Sequence, residues 1–275
     1  MEITEGNQDM QLNIQDTSLF VEDVGQGLPI MLIHGFPLNH EMWHPQITSL
    51  SAFSRVIAVD LRGHGQSPAT EGTYSMDLLA DDCARVLEVL QVKKPAVICG
   101  LSMGGYISFA LYRRHPEKVA GLILAATRAV ADSLETKNNR DKAVQNVIQS
   151  GPEAVIESML PSLLAAHTFT ESPELVSRIQ AIMSQTSRSG MISALIGMKN
   201  RSDSTDILRD IHVPTLILQG AEDQIIPLTE SKSMQAEIPQ SELKVIPRAG
   251  HLLNMEQAGL FNQSVEDFLR LRFIG

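Results

Sequence analysis

A single Gly-x-Ser-x-Gly occurs in the 275 residues, as Gly100-Leu101-Ser102-Met103-Gly104, with Gly105 directly after it. A serine set between small residues can be the nucleophile of an acyl transfer where the chain turns sharply from a strand into a helix. The helix start then offers backbone N–H donors to an oxyanion. The competing reading is a glycine-rich turn with an incidental serine. A serine hydroxyl is a weak nucleophile until a base takes its proton, and the base must be held in one tautomer by an acceptor. Of the eight histidines, His251, in Ala249-Gly250-His251-Leu252, falls in a loop between a final strand and a final helix. For the acceptor, Gln219-Gly220-Ala221-Glu222-Asp223 follows a strand directly. Asp223 is the favoured acid, and Glu222 is the neighbour with which it could be confused. The chemistry this set supports is ester cleavage through an acyl-serine.

A second oxyanion donor is expected from His34-Gly35-Phe36-Pro37. Pro37 has no N–H to give, so the donor is the Phe36 amide, partnered by that of Met103. His34 reads as a residue that ties this loop down. In Asp60-Leu61-Arg62-Gly63-His64-Gly65-Gln66-Ser67, Asp60 and Arg62 are expected to organise a turn. Met42 and Trp43 read as core.

These residues need a scaffold that brings three distant loops together. Nearly continuous apolar runs at 29–33, 55–59, 95–99, 119–126, 215–218 and 243–246 read as strands buried on both faces. Residues 12–15 and 18–24 read as two further strands around a turn at Asp16-Thr17. Between them, residues 77–90 carry a helical stripe with Ser75 as its N-cap. Residues 103–115 read as a helix stopped by Pro116, and 257–271 as a C-terminal helix. Strand–helix alternation with buried strands predicts an α/β fold with a mostly parallel sheet. In such a sheet, loops leaving the C-terminal strand ends gather at one edge. Residues 132–210 break the alternation with helical patterns only, and Met159, Met183, Met191 and Met198 give them soft apolar surface. They read as a helical cap whose apolar face lines an adaptable, apolar pocket; the competing reading is a helical insertion with its own small core.

Composition narrows the setting. A net charge of −10 without any basic run argues against nucleic-acid binding. No apolar stretch approaches the ~18 residues of a membrane span. The acidic start, Met1-Glu2-Ile3-Thr4-Glu5, does not resemble a targeting peptide. Cys83 and Cys99 lack metal-ligand spacing and read as reduced, buried residues, which favours a cytoplasmic location.

The set His34-Gly35, Asp60-x-Arg62-Gly63-His64-Gly65-x-Ser67, Gly100-x-Ser102-x-Gly104-Gly105, Gly220-x-x-Asp223 and Gly250-His251 resembles the α/β-hydrolase superfamily, in the chain order Ser, Asp, His. The likeness is greatest to small carboxylesterases and the 3-oxoadipate enol-lactonase-like group. It implies an eight-stranded, mostly parallel sheet flanked by helices, formed by residues 1–131 and 211–275, with the cap between strands six and seven. It implies catalysis by Ser102, Asp223 and His251, with no metal, nucleotide or flavin. The substrate implied is a small ester or lactone, handled by a monomer or homodimer without nucleic acid or membrane. Ser102 departs from the dehalogenases and epoxide hydrolases, which place aspartate there. The same triad serves carbon–carbon bond hydrolases and cofactor-free perhydrolases or haloperoxidases, and some proteins of this fold are ligand receptors. Cleavage of a dioxo acid asks for a cation, for which Arg188 or Arg201 of the cap are candidates.

Overall fold

The computed structural model describes residues 8–275. The acidic start lies outside them. Strands β1 (Gln8–Ile14) and β2 (Thr17–Val24) form an antiparallel hairpin in which Ile14 faces Thr17. The turn is therefore Gln15-Asp16, one residue earlier than the sequence suggests. Gln15 adopts a φ of 38°, a left-handed conformation that ends the strand and closes a two-residue loop.

Strands β3 (Leu28–Ile33), β4 (Ser54–Val59), β5 (Ala96–Leu101), β6 (Val119–Ala125), β7 (Thr215–Gly220) and β8 (Ser241–Ile246) complete one sheet. Its order is β1-β2-β4-β3-β5-β6-β7-β8, and β3 to β8 pair in parallel. The expected α/β architecture is thus present. Its strands carry β-branched and aliphatic residues on both faces, and every residue of β5 is buried. The chain passes from β3 to β4 on one side and returns to β5 on the other. The crevice beyond the C-terminal ends of β3 and β5 is the switch point where such sheets hold ligands.

Helices α1 (His44–Leu50), α2 (Met76–Val89) and α3 (Met103–Arg114) flank this half of the sheet. The Ser75 hydroxyl caps α2 by accepting from the Leu78 N–H at 3.1 Å. Met42 and Trp43 are fully buried just before α1. Arg62 ties the hairpin to α2 through paired bonds to Asp16 and Asp82.

Five helices separate β6 from β7 in the chain: α4 (Leu134–Ser150), α5 (Pro152–Leu163), α6 (Thr168–Glu171), α7 (Pro173–Met183) and α8 (Arg188–Lys199). Helix α8 seats directly on the sheet domain. The Ser187 N–H and hydroxyl both donate to the Gly63 carbonyl, and the Tyr74 N–H donates to that of Ser193. A Cβ on Gly63 would lie 2.5 Å from the Gly190 Cα, so the two backbones touch without side chains between them. After β7 come α9 (Leu228–Glu237), β8, α10 (Leu253–Glu256) and α11 (Ala258–Leu269), with a further turn over Arg270–Ile274. The sequence reading lacks α9. Only Ser231 and Met234 of that helix are buried, so it shows no apolar stripe. No helix among the described residues is long and apolar enough to cross a membrane.

Candidate active site

Ser102 sits between β5 and α3 with φ 55° and ψ −111°, a conformation that few non-glycine residues adopt. Surrounding bonds enforce it. The Ser102 N–H donates to the Ala125 carbonyl at 2.9 Å, and the Ser102 carbonyl accepts from the Gly105 N–H and the Thr127 hydroxyl. The first turn of α3 lies against β3, where a Cβ on Gly104 would collide with the Ile33 carbonyl oxygen. Met103 opens that helix, so its amide lies at the positive end of the helix dipole.

Asp223 and His251 come from the loops after β7 and β8. Their side chains meet at 2.9 Å, His251 Nδ1 to Asp223 Oδ2, and both are almost fully buried. The other oxygen of Asp223 accepts from the Ile225 and Ile226 amides at 2.8 and 3.0 Å, and Gln219 donates to Oδ2 at 2.9 Å. Burial opposes ionisation of this carboxyl. The His251 charge and hydrogen bond, together with the two amides, outweigh burial and hold its pKa below the ordinary range. Glu222 faces away, with its carboxylate 3.6 Å from His167 Nδ1.

A cavity of about 290 Å³ opens over these groups. Ser102, His251 and Phe36 form its floor. Met159, Leu163, Leu195, Met198, Ile225 and Ile226 give it apolar walls, and Tyr106, Thr136, Asn139, Arg128 and Arg140 give it a polar one. The expectation of an apolar pocket is therefore corrected on that side. Of the four methionines, Met159 and Met198 reach the cavity, whereas Met183 and Met191 are fully buried.

The polar wall is built on Asp132, which pairs with Arg128, Arg140 and Arg201 at 2.9, 2.5 and 2.5 Å. Three guanidinium groups share this carboxylate, and Glu230 and Asp203 add negative charge near Arg128 and Arg201. Arg201 lies beneath the wall, stacked 4.0 Å from the centre of the Tyr106 ring. Arg188 binds the Ile148 carbonyl at the surface. Neither candidate cation from the sequence lines the cavity; Arg128 and Arg140 do. The Nε of Arg128 is buried without a hydrogen-bond partner among the described residues. Arg128 lies just beyond the C-terminal end of β6, and that position was the available signal for it.

The loop after β3 is fixed by buried histidines. His34 Nδ1 lies 2.9 Å from the Gly35 carbonyl, and its Nε2 accepts from the Leu61 amide at 3.0 Å. Burial and the neighbouring His64 push the His34 pKa down to about 3. Burial also pushes that of His64 down to about 4. Asp60 accepts from the His40 amide and ring and from the Gln66 amide, so it organises the turn, as Arg62 does through its ion pairs.

The family model for the alpha/beta hydrolase fold matches residues 29–258. The chain is 34% identical over 264 residues to the AB hydrolase superfamily protein YisY of Bacillus subtilis, covering 92% of this chain and 96% of that one. A thermophilic esterase from Thermogutta terrifontis, solved with malate bound, is 40% identical with a TM-score of 0.92, over 96% of this chain and 98% of its own. The enol-lactonase from Burkholderia xenovorans LB400 is 27% identical with a TM-score of 0.88, over 94% of this chain and 99% of its own.

Proposed function

The chain belongs to the alpha/beta hydrolase fold family, and from that premise we propose that it is a serine hydrolase of small to medium carboxylic esters or lactones. One observation carries the proposal. His251, bonded at 2.9 Å to the buried Asp223, lines the same cavity as a serine held at φ 55°. In the proposed reaction Ser102 Oγ attacks the carbonyl carbon as its proton passes to His251 Nε2. Asp223 holds the imidazole in the required tautomer and balances the imidazolium. The amides of Phe36 and Met103 receive the oxyanion. The carbon–oxygen bond to the leaving alkoxide breaks, and His251 returns its proton to that oxygen. Water, deprotonated by His251, then attacks the acyl-serine, and the proton finally returns to Ser102. Residues 132–210 act as the cap that closes the cavity over the core formed by 1–131 and 211–275.

Arg128 supports a narrower reading of the substrate. The guanidinium groups of Arg128 and Arg140 on the cavity wall favour an ester or lactone that also carries an anionic group. The malate in the Thermogutta terrifontis esterase and the enol-lactonase similarity point the same way. The test is a panel of p-nitrophenyl esters of increasing chain length, run beside simple lactones, an enol-lactone and carboxylated hemiesters. Ser102→Ala should lose several orders of magnitude in kcat on every substrate that turns over. Near-wild-type turnover by Ser102→Ala would sink the serine assignment.

A further inference from the structure

His251 lies in a loop fastened on both sides. The Gly250 N–H donates to Glu256 Oε2 at 2.6 Å, and the Leu252 N–H donates to the Leu163 carbonyl at 3.1 Å. The second oxygen of Glu256, Oε1, accepts from the Ala165 N–H at 2.8 Å and from the Thr168 hydroxyl at 2.6 Å. One carboxylate thus gathers three donors: one from the histidine loop, one from the turn between α5 and α6, and one from the first residue of α6. The backbones it joins are in direct contact, since a Cβ on Gly250 would lie 2.6 Å from the Ala165 nitrogen. On the other side, a Cβ on Gly220 would meet the Gly250 carbonyl oxygen. The histidine loop is therefore clamped between the end of β7 and the helical segment.

We infer that Glu256 is the positioning residue for His251, fastening its loop to the α5–α6 turn so that this turn supports the base. The inference rests on the serine-hydrolase reading above. All three groups facing Glu256 are donors, so the site asks for a carboxylate. Glu256→Gln turns an NH2 toward at least one N–H or O–H and leaves that donor unpaired. A shift of well under ~1 Å in the Gly250–Leu252 backbone tilts the imidazole against Ser102. The walls supplied by α4 and α8 stay in place, whereas Met159 and Leu163 of α5 adjoin the fastened turn, so kcat falls by more than KM moves.

The test compares Glu256→Gln, Glu256→Ala and Thr168→Val in the full chain. It measures kcat and KM on p-nitrophenyl butyrate, the low-field proton resonance of the His251–Asp223 hydrogen bond, and the melting temperature. Glu256→Gln should lose about tenfold in kcat, and Glu256→Ala more, with KM within about twofold and the resonance shifted or broadened. Thr168→Val removes one donor and no charge, so it should lose about two- to threefold in kcat and move the resonance in the same direction. A folded variant with a lowered melting temperature but wild-type kcat and resonance would make Glu256 a fold-stabilising residue and overturn the inference. Should both Glu256 variants fail to fold, an unaltered Thr168→Val overturns it equally. The resonance needs no turnover. It reports on Glu256 even if Ser102→Ala retains activity and the serine reading itself falls.

Discussion

The carboxylate of Asp223 faces His251, Gln219 and two backbone amides. Its position after a strand made it the favoured acid in the sequence, and the turn supplies what sets it apart from Glu222: the Ile225 and Ile226 amides donate to Asp223. The same limit applied to Arg128, whose type and place in the chain give no hint that Asp132 gathers three guanidinium groups. Arg128→Gln leaves Asp132 paired with Arg140 and Arg201 while removing one guanidinium from the cavity wall. It should lower kcat/KM for a carboxylated hemiester about tenfold more than for its neutral diester, the size expected for one charge-assisted hydrogen bond. Equal losses on the two substrates would remove Arg128 from substrate selection.

The first turn of α3 and the C-terminal end of β3 act as one unit, because the Gly104 Cα lies against the Ile33 backbone. Gly104→Ala must push the helix start outward, carrying Ser102 and the Met103 amide with it. The expected outcome is a loss of at least about tenfold in kcat together with about 1–3 kcal/mol in stability. Urea unfolding beside kinetics separates the two, and wild-type turnover at reduced stability would uncouple the helix start from the reaction. The sheet was legible at this scale because strands buried on both faces carry an unbroken apolar signal. The seat of α8 was hidden because it rests on backbone contact at Gly63 and Gly190, which no periodicity records. Glu256 was hidden for a related reason: two of its three partners lie 91 and 88 residues away, and one of those is a bare amide.

The molecule as a whole carries two histidines that the fold keeps neutral. His34 and His64 titrate near 3 and 4 when folded, against about 6.5 in the unfolded chain. Below pH 6.5 the unfolded state binds two protons that the folded state refuses, so stability is fully present above that pH and is lost as pH falls toward 4. The slope from this pair approaches about 3 kcal/mol per pH unit. His40 works in the opposite sense. Burial lowers its pKa, but its bond to Asp60 prevails and raises it, so its contribution fades as pH rises above 6.5. Urea midpoints should therefore drop between pH 7 and pH 5, and the drop should shrink in His64→Gln. A midpoint that stays constant over that interval would contradict the buried neutral pair.

The strand order also bears on how the molecule behaves at high concentration. No strand lies beyond β8 among the described residues, so its outer backbone groups are a template for a foreign strand. Glu242 and Lys244 stand on that strand, with Lys244 3.7 Å from Asp267. A second chain adding to this edge would have to bury or displace both charges. Charge on this strand works against growth of the sheet from one molecule into the next.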